Sequence, residues 1–237
     1  MNRLIHKAMF VAPWWAAFIN PHFLPRRALW RAMVVAAPKA RGRLLDVGCG
    51  RKPYQALFAH VKEYLGLELD TPKNRADASA DLFYDGQTIP LNDASVDTVL
   101  CNQVLEHVQN PTRFLGEINR VLSPGGALIL TVPFFWPEHE QPHDHCRFTS
   151  FGLRTRLQEA GFSVQEQHKL TPGLSALMAI AADQLNSIVR PAPVALRLLV
   201  RFILLAPLSL LGWSIGATRP VDSELYLDNF VVCTKNP

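Results

Sequence analysis

The chain has no CxxC pair, and its four cysteines, Cys49, Cys101, Cys146 and Cys233, lie far apart. Two of them fall inside apolar runs that read as buried strands, so the pattern excludes a disulfide framework and fits reduced cytosolic thiols. Charge is sparse at 19% of residues, and the excess of four positive charges is modest. Lys and Arg are scattered or gathered near the two ends and form no long basic run, so no nucleic-acid partner is expected. Internal repeats and low-complexity tracts are missing as well. An apolar stretch follows Arg3 and Lys7 through Ile19, but Pro13 interrupts it and no clear small-residue cleavage site comes after. An amphipathic or interfacial helix is expected there, not a secretory leader.

Apolar residues, by contrast, make up 49% of the 237. That excludes a disordered chain and allows one sizeable α/β core with an appendage. Residues 1–40 mix apolar aromatics with prolines and end in a helical stretch, Arg26 to Ala37, which reads as an N-terminal helical cap. From residue 41 to 237 the texture is that of a single α/β domain. Short β-like runs, LLDV, EYLGLEL, ADLFYD, VDTVLC and ALILTV, alternate with helical stretches. This alternation predicts a mostly parallel, doubly wound sheet covered on both faces. The clearest helix opens at Pro111, repeats apolar residues at Phe114, Leu115, Ile118, Val121 and Leu122, and stops at Ser-Pro-Gly-Gly. Strands FSVQEQHKL and NFVVCTK close the pattern. Between them an apolar insertion, about 174–216, carries only Asp183, Arg190, Arg197 and Arg201 as charges.

In LLDVGCG an apolar strand runs into an acid and two glycines, and Gly48 and Gly50 remove the Cβ atoms that would block a close backbone approach to a nucleotide. Alone, such a turn also serves purely conformational needs. Glu68, at the end of the next strand about twenty residues on, adds a carboxylate able to accept from both ribose hydroxyls.

The strings DVGCG, GLELD, YDGQTIPLNDASVDTVLCNQVLEHV and INRVLSPGGALILTVP, in order from about Leu44 to Pro133, resemble the successive motifs of the class I S-adenosylmethionine-dependent methyltransferases, and specifically their type 11 group. The resemblance implies a Rossmann-like sheet of seven strands and S-adenosyl-L-methionine as cofactor. It implies contacts from Asp46, Gly48, Cys49 and Gly50 to the methionine end, and from Glu68 and Leu69 to the ribose and adenine. Asp85 with Gly86 beside it is implied at the adenine amino group, with Asp81 as the competing residue. Cys101, Asn102 and Gln103 fall where the family lines the pocket near the sulfonium. One departure is Lys52, where the superfamily often has a third glycine.

The stretch TVPFFWPEHEQPHDHCRFT is similar to a narrower group whose matching positions, His139, Glu140, Pro142, Asp144, Arg147 and Thr149, form a loop over the cofactor's methyl group. For a hydroxyl acceptor a base is needed, and His139, oriented by Asp144, or His107 is the right chemical type. Arg147 either anchors an anionic acceptor or forms a structural ion pair. Glu106 and His107 alternatively only cap and pack the next helix. His139, His143, His145 and Cys146 are spaced closely enough to ligate zinc, but a second cluster to complete the site is lacking, so no metal is expected.

The activity so implied is methylation of a small-molecule or lipid-linked acceptor in the cytoplasm, with peripheral contact to the inner membrane. The other reading is a catalytically silent cofactor-binding or membrane-associated interaction protein on the same fold. Phe202 to Gly216 is shorter than the about 20 residues a spanning helix needs and contains Pro207. The insertion is therefore expected to lie in a membrane interface, to cap the site or to form a dimer interface.

Overall fold

In the computed structural model, which describes residues 3–77, 79–218 and 223–237, each strand run forms where the pattern places it. The strands are β1 (Arg43–Val47), β2 (Glu63–Leu69), β3 (Leu82–Tyr84), β4 (Val96–Asn102), β5 (Leu122–Pro133), β6 (Phe162–Leu170) and β7 (Asp228–Lys235). They make one seven-stranded sheet in the order β3-β2-β1-β4-β5-β7-β6. β1 pairs in parallel with both β2 and β4, β3 joins β2, and β5 joins β4, all parallel. Strand order reverses between β1 and β4, and the crevice beyond their carboxyl ends is where such sheets bind ligands. Gly48, Glu68 and Gln103 all sit at that end.

The helices are α1 (Phe23–Ala36), α2 (Pro72–Asp77), α3 (Pro111–Val121), α4 (Ser150–Glu159), α5 (Leu174–Val189), α6 (Val194–Val200) and α7 (Ala206–Thr218). α3 starts where Asn110 accepts a hydrogen bond from the Arg113 amide at 3.0 Å, with Pro111 at a first-turn position that needs no donor. It buries Phe114, Leu115, Ile118 and Val121 in the core beneath the sheet. Each such side chain contributes roughly 1.5 to 3 kcal/mol through removal from water.

Internal packing divides the chain into a sheet unit, Met33–His168 with Asn229–Pro237, and a helical unit, Met1–Ala32 with Lys169–Asp228. The boundary near residue 32 differs from the expected 40, and the N-terminal segment shares its unit with the insertion. Aromatic contacts explain the pairing: Phe18 meets Phe202 at 5.6 Å between ring centroids, and Phe23 meets Trp213 edge-on at 6.4 Å. Within this unit α5 and α7 approach through small residues. The Ser175 hydroxyl donates to the Gly212 carbonyl at 2.7 Å, and a Cβ on Gly212 would lie 2.7 Å from Leu24.

The apolar helix is longer than its uncharged sequence suggests. It runs unbroken from Val194 to Gly216 through α6, a π-helical stretch Arg201–Leu205 and α7. Its 23 residues are long and apolar enough to cross a membrane, and 17% of its most apolar stretch is buried. Arg197 and Arg201 do not end the helix, because an arginine is a good helix former.

Candidate active site

The turn after β1 is built around left-handed backbone. Gly48 has φ +67°, and a Cβ there would lie 2.4 Å from a Val104 methyl, so no other residue fits. Its amide and that of Cys49 donate to the Leu67 carbonyl at 2.9 and 3.2 Å, fastening the turn to β2. Gly50, φ +51°, has nothing within 4 Å of a hypothetical Cβ, which leaves its face open to a ligand. Lys52 replaces the usual third glycine and is itself left-handed, φ +49°. Its ammonium donates to Asp81 Oδ2 at 2.5 Å, and the Gly66 amide donates to the same oxygen at 2.7 Å. Asp81, although exposed, is thereby held by two donors of the chain.

The Gly50 amide donates to Glu68 Oε1 at 2.6 Å, so the glycine turn and the carboxylate share one cleft. The Asn74 amide reaches the other oxygen at 3.2 Å. Leu69, half exposed, stands next along β2. Asp85 follows β3 and accepts from the Gln87 and Thr88 amides at 2.8 and 3.0 Å, closing a turn in which Gly86 has φ +82°.

Asp46 is buried and accepts from the Tyr64 hydroxyl at 2.5 Å. Burial, opposed by the Tyr64 bond and reinforced by the nearby Glu68 charge, pushes its carboxyl up to about 7. A raised acid is neutral when folded, so ionising it costs stability as pH rises from the ordinary carboxylate range through about 7. A cationic ligand favours the ionised form. Affinity for S-adenosylmethionine should therefore fall about tenfold on going from pH 8 to pH 6, with the dependence lost in Asp46→Asn. A flat affinity across that range in the wild type would refute this role for Asp46.

Gln103 follows β4 in a left-handed conformation, φ +57°, and its amide donates to the Thr131 carbonyl at 3.0 Å. The Thr131 hydroxyl donates to Asn102 Oδ1 at 2.7 Å, so β5 holds both residues at the strand tips. Leu105–His107 then form a single 3-10 turn. The loop after β5 folds back on it: the His145 and Cys146 amides donate to the Glu106 carbonyl, and His107 Nδ1 pairs with the His143 carbonyl at 2.8 Å. His107 and His139 meet edge to face, 4.8 Å between centroids.

Asp144 organises this loop. Arg147 grips it through two nitrogens, at 2.5 and 2.6 Å, and the His139 amide donates to it at 3.0 Å. The Arg147 hydrogen bonds hold its carboxyl down to about 2 despite burial. The same guanidinium donates to the carbonyls of Trp136 and Cys146. Arg147 thus sits in an ion pair and a backbone clamp. His139 Nδ1 lies 3.3 Å from Asp144 Oδ2.

The methyltransferase-domain family matches residues 45–130, the segment that supplies the glycine turn, Glu68 and the strand tips. A Mycobacterium leprae protein named an uncharacterized methyltransferase is 35% identical over 169 residues, 67% of this chain and 61% of its own. A Mycolicibacterium smegmatis protein named a probable S-adenosylmethionine-dependent methyltransferase is 33% identical over 143 residues, 55% of this chain and 56% of its own. The chain belongs to the class I S-adenosylmethionine-dependent methyltransferase superfamily. It spans about half the length of the curated relatives it matches. Among solved structures, an S-adenosylmethionine-dependent methyltransferase of Mesorhizobium loti shares the fold, with TM-score 0.56, 16% identity, and coverage of 88% of this chain and 98% of that one. A [4+2]-cyclase, SpnF, shares it at TM-score 0.59 and 20% identity over 87% of this chain and 81% of that one.

The residues present fit the superfamily's cofactor on two independent counts. The Gly48 to Gly50 cradle rejects a side chain at one end and is open at the other, and Asp46 is a buried carboxyl group beside Tyr64, Glu68 and Lys52. The first suits close approach of a ligand to the backbone, and the second suits a bound cation. Glu106, His107 and His139 each bring one ligand atom within 4.8 Å of the others, whereas His143, His145 and Cys146, whose spacing alone resembles a zinc set, are not part of that group. Tyr64, Asn74 and Thr131 complete the site, and no spacing pattern points to them. The pairing of β1 with β2 brings Tyr64 to Asp46 and that of β4 with β5 brings Thr131 to Asn102, whereas Asn74 reaches Glu68 from the first turn of the helix that follows β2.

Proposed function

We propose that this protein transfers the methyl group of S-adenosylmethionine to a small-molecule or lipid-linked acceptor at a membrane surface, on the cytoplasmic face. The observation that carries the reading is the 2.6 Å hydrogen bond from Gly50 to Glu68, which puts the two halves of a nucleotide grip in one cleft. The bound sulfonium supplies an activated methyl group. The chain's own part is positioning, which is worth up to about 7 to 11 kcal/mol in favourable cases. Glu68 accepts the ribose hydroxyls and Leu69 flanks the adenine. Asp85 and Gly86 hold the adenine edge, and Asp46, with Gly48, Cys49 and Gly50, holds the methionine end. Asn102 and Gln103 line the approach to the sulfonium.

His139, backed by Asp144, takes the proton from a hydroxyl acceptor, and its neighbour His107 is the alternative base. His139→Gln should lower turnover by about 10² to 10⁴ with S-adenosylmethionine affinity unchanged, while His107→Gln has the smaller effect. The reverse order assigns the base to His107. A loss in neither variant rules out imidazole base catalysis. The membrane-surface part rests on the exposed apolar helix Val194–Gly216 with its arginines. A fold does not by itself dictate the reaction, and the second reading is cofactor binding without methyl transfer. Tight S-adenosylmethionine binding without S-adenosylhomocysteine release across hydroxyl, amine and phospholipid acceptors would establish that second reading.

A further inference from the structure

The helical unit differs from the sheet unit in charge and in surface. Residues 1–32 and 169–228 hold ten Lys and Arg against four Asp and Glu, while the sheet unit holds fourteen against sixteen. The chain's whole positive excess therefore lies with the helices. Of twenty large apolar side chains exposed among the described residues, fifteen belong to this unit. Along Val194–Gly216, Leu205, Ala206, Ser209 and Gly212 are buried on one side, whereas Leu198, Leu199, Phe202 and Ile203 stand in solvent. Exposed apolar surface of this extent on a basic background is the chemistry of an anionic lipid interface.

Inside the same unit is a cavity of about 110 Å³ whose walls include Arg27, Arg31, Thr171, Ser175 and Trp213. The Arg27 guanidinium lies over the Trp213 ring, 4.6 Å from its centroid, and donates through Nη1 to the Ala12 carbonyl at 2.8 Å. Its Nε is buried without a hydrogen-bond partner. Burial and the charge of Arg31 both disfavour its protonated form. Among the described residues neither arginine has a carboxylate within ion-pair distance. Thr171, 7% exposed, has a hydroxyl without a partner. α5 begins three residues later, and Ser175 of its first turn also lines the cavity. Two cations, an unused donor and an unused hydroxyl call for an anion. The cavity is well below the about 300 Å³ of a small-molecule pocket, so it holds one charged group and not a whole ligand. Its Leu24 and Trp213 walls suit an anion attached to apolar matter.

We propose that this cavity takes the phosphate of an anionic phospholipid and seats the helical unit on a bilayer. The inference rests on the membrane-surface reading above and gives it a specific lipid contact. Flotation of the full chain on phosphatidylcholine vesicles, with and without phosphatidylglycerol, tests it. The wild type should prefer the anionic vesicles by about tenfold or more. At high salt, where surface charges are screened, Arg31→Gln should remove most of that preference and Arg197→Gln, outside the cavity, should leave it. Thr171→Val replaces an unsatisfied buried hydroxyl with a methyl of the same shape, so it should fold and melt like the wild type yet lose part of the preference. Equal losses in Arg31→Gln and Arg197→Gln would overturn the cavity in favour of a diffuse basic surface. Displacement from vesicles by inorganic phosphate at matched phosphate concentration would overturn the lipid as the source of the anion. Equal binding to both vesicle types defeats the phosphate contact but leaves the membrane reading standing, whereas flotation on neither defeats both.

Discussion

Glu68→Ala should weaken S-adenosylmethionine binding by about 100-fold, as read by calorimetric titration. A carboxylate accepting from two ribose hydroxyls makes two charge-assisted hydrogen bonds, each contributing roughly 1.5 to 3 kcal/mol, and about 3 kcal/mol corresponds to that loss. The substitution also releases the Gly50 amide, which Glu68 holds at 2.6 Å, so the glycine turn loses a tether as well as the ribose its acceptor. Because Glu68 is only partly buried, the melting temperature should move little. Glu68→Gln keeps one accepting oxygen and should fall between the two. Equal affinity in wild type and Glu68→Ala would remove the ribose assignment, and with it the main support for the cofactor pose.

Asp144→Asn should cut turnover by about 100-fold or more while leaving cofactor affinity near the wild-type value. The carboxylate is held by both Arg147 nitrogens and by the His139 amide, and its side chain is 3% exposed. An amide presents one oxygen and one NH₂ to the same fork, so one of the two Arg147 bonds becomes a donor facing a donor. Breaking a buried pair on one side costs about 3 to 5 kcal/mol, toward the lower end here because Arg147 keeps some exposure. The loop that carries His139 then loses its anchor, and a displacement of about 1 Å at a reacting group is enough for such a rate loss. The split matters: Asp144 bonds to Arg147 and His139 and to none of the residues assigned to the ribose or the methionine end, so a parallel loss of S-adenosylmethionine affinity would mean that Asp144 supports the whole fold and not the acceptor side. The ion pair's contribution to stability is complete above the ordinary carboxylate range and is lost as pH falls through about 2.

The charge arrangement joins these effects to the pH dependence expected of Asp46. Asp46 and Asp144 are both buried carboxylates in the sheet unit, yet one is pushed up to about 7 and the other held down to about 2. The difference lies in their partners. Asp46 has a neutral phenol and a second carboxylate nearby, whereas Asp144 has a guanidinium in bidentate contact. Asp46 is therefore the group with charge still to be compensated, and a cationic cofactor is the natural compensation. Asp144 is already compensated and serves geometry.

Much of this was legible from order along the chain. Period-two and continuous apolar runs placed the strands, and Pro111 after Asn110 placed α3, because those signals act through neighbouring residues. The acid and glycines after β1, and Glu68 at the end of β2, were legible because a nucleotide site needs them at successive strand tips. Tertiary structure alone decided the rest. Lys52 reaches Asp81, Tyr64 reaches Asp46, and Thr131 reaches Asn102 only because the sheet sets those strands side by side. The helical unit joins Phe18 to Phe202 and Arg27 to Trp213 across more than half the chain. No local periodicity encodes such pairings. They follow from which apolar faces find one another within the helical unit, and that choice also leaves Val194–Gly216 with an uncovered apolar side.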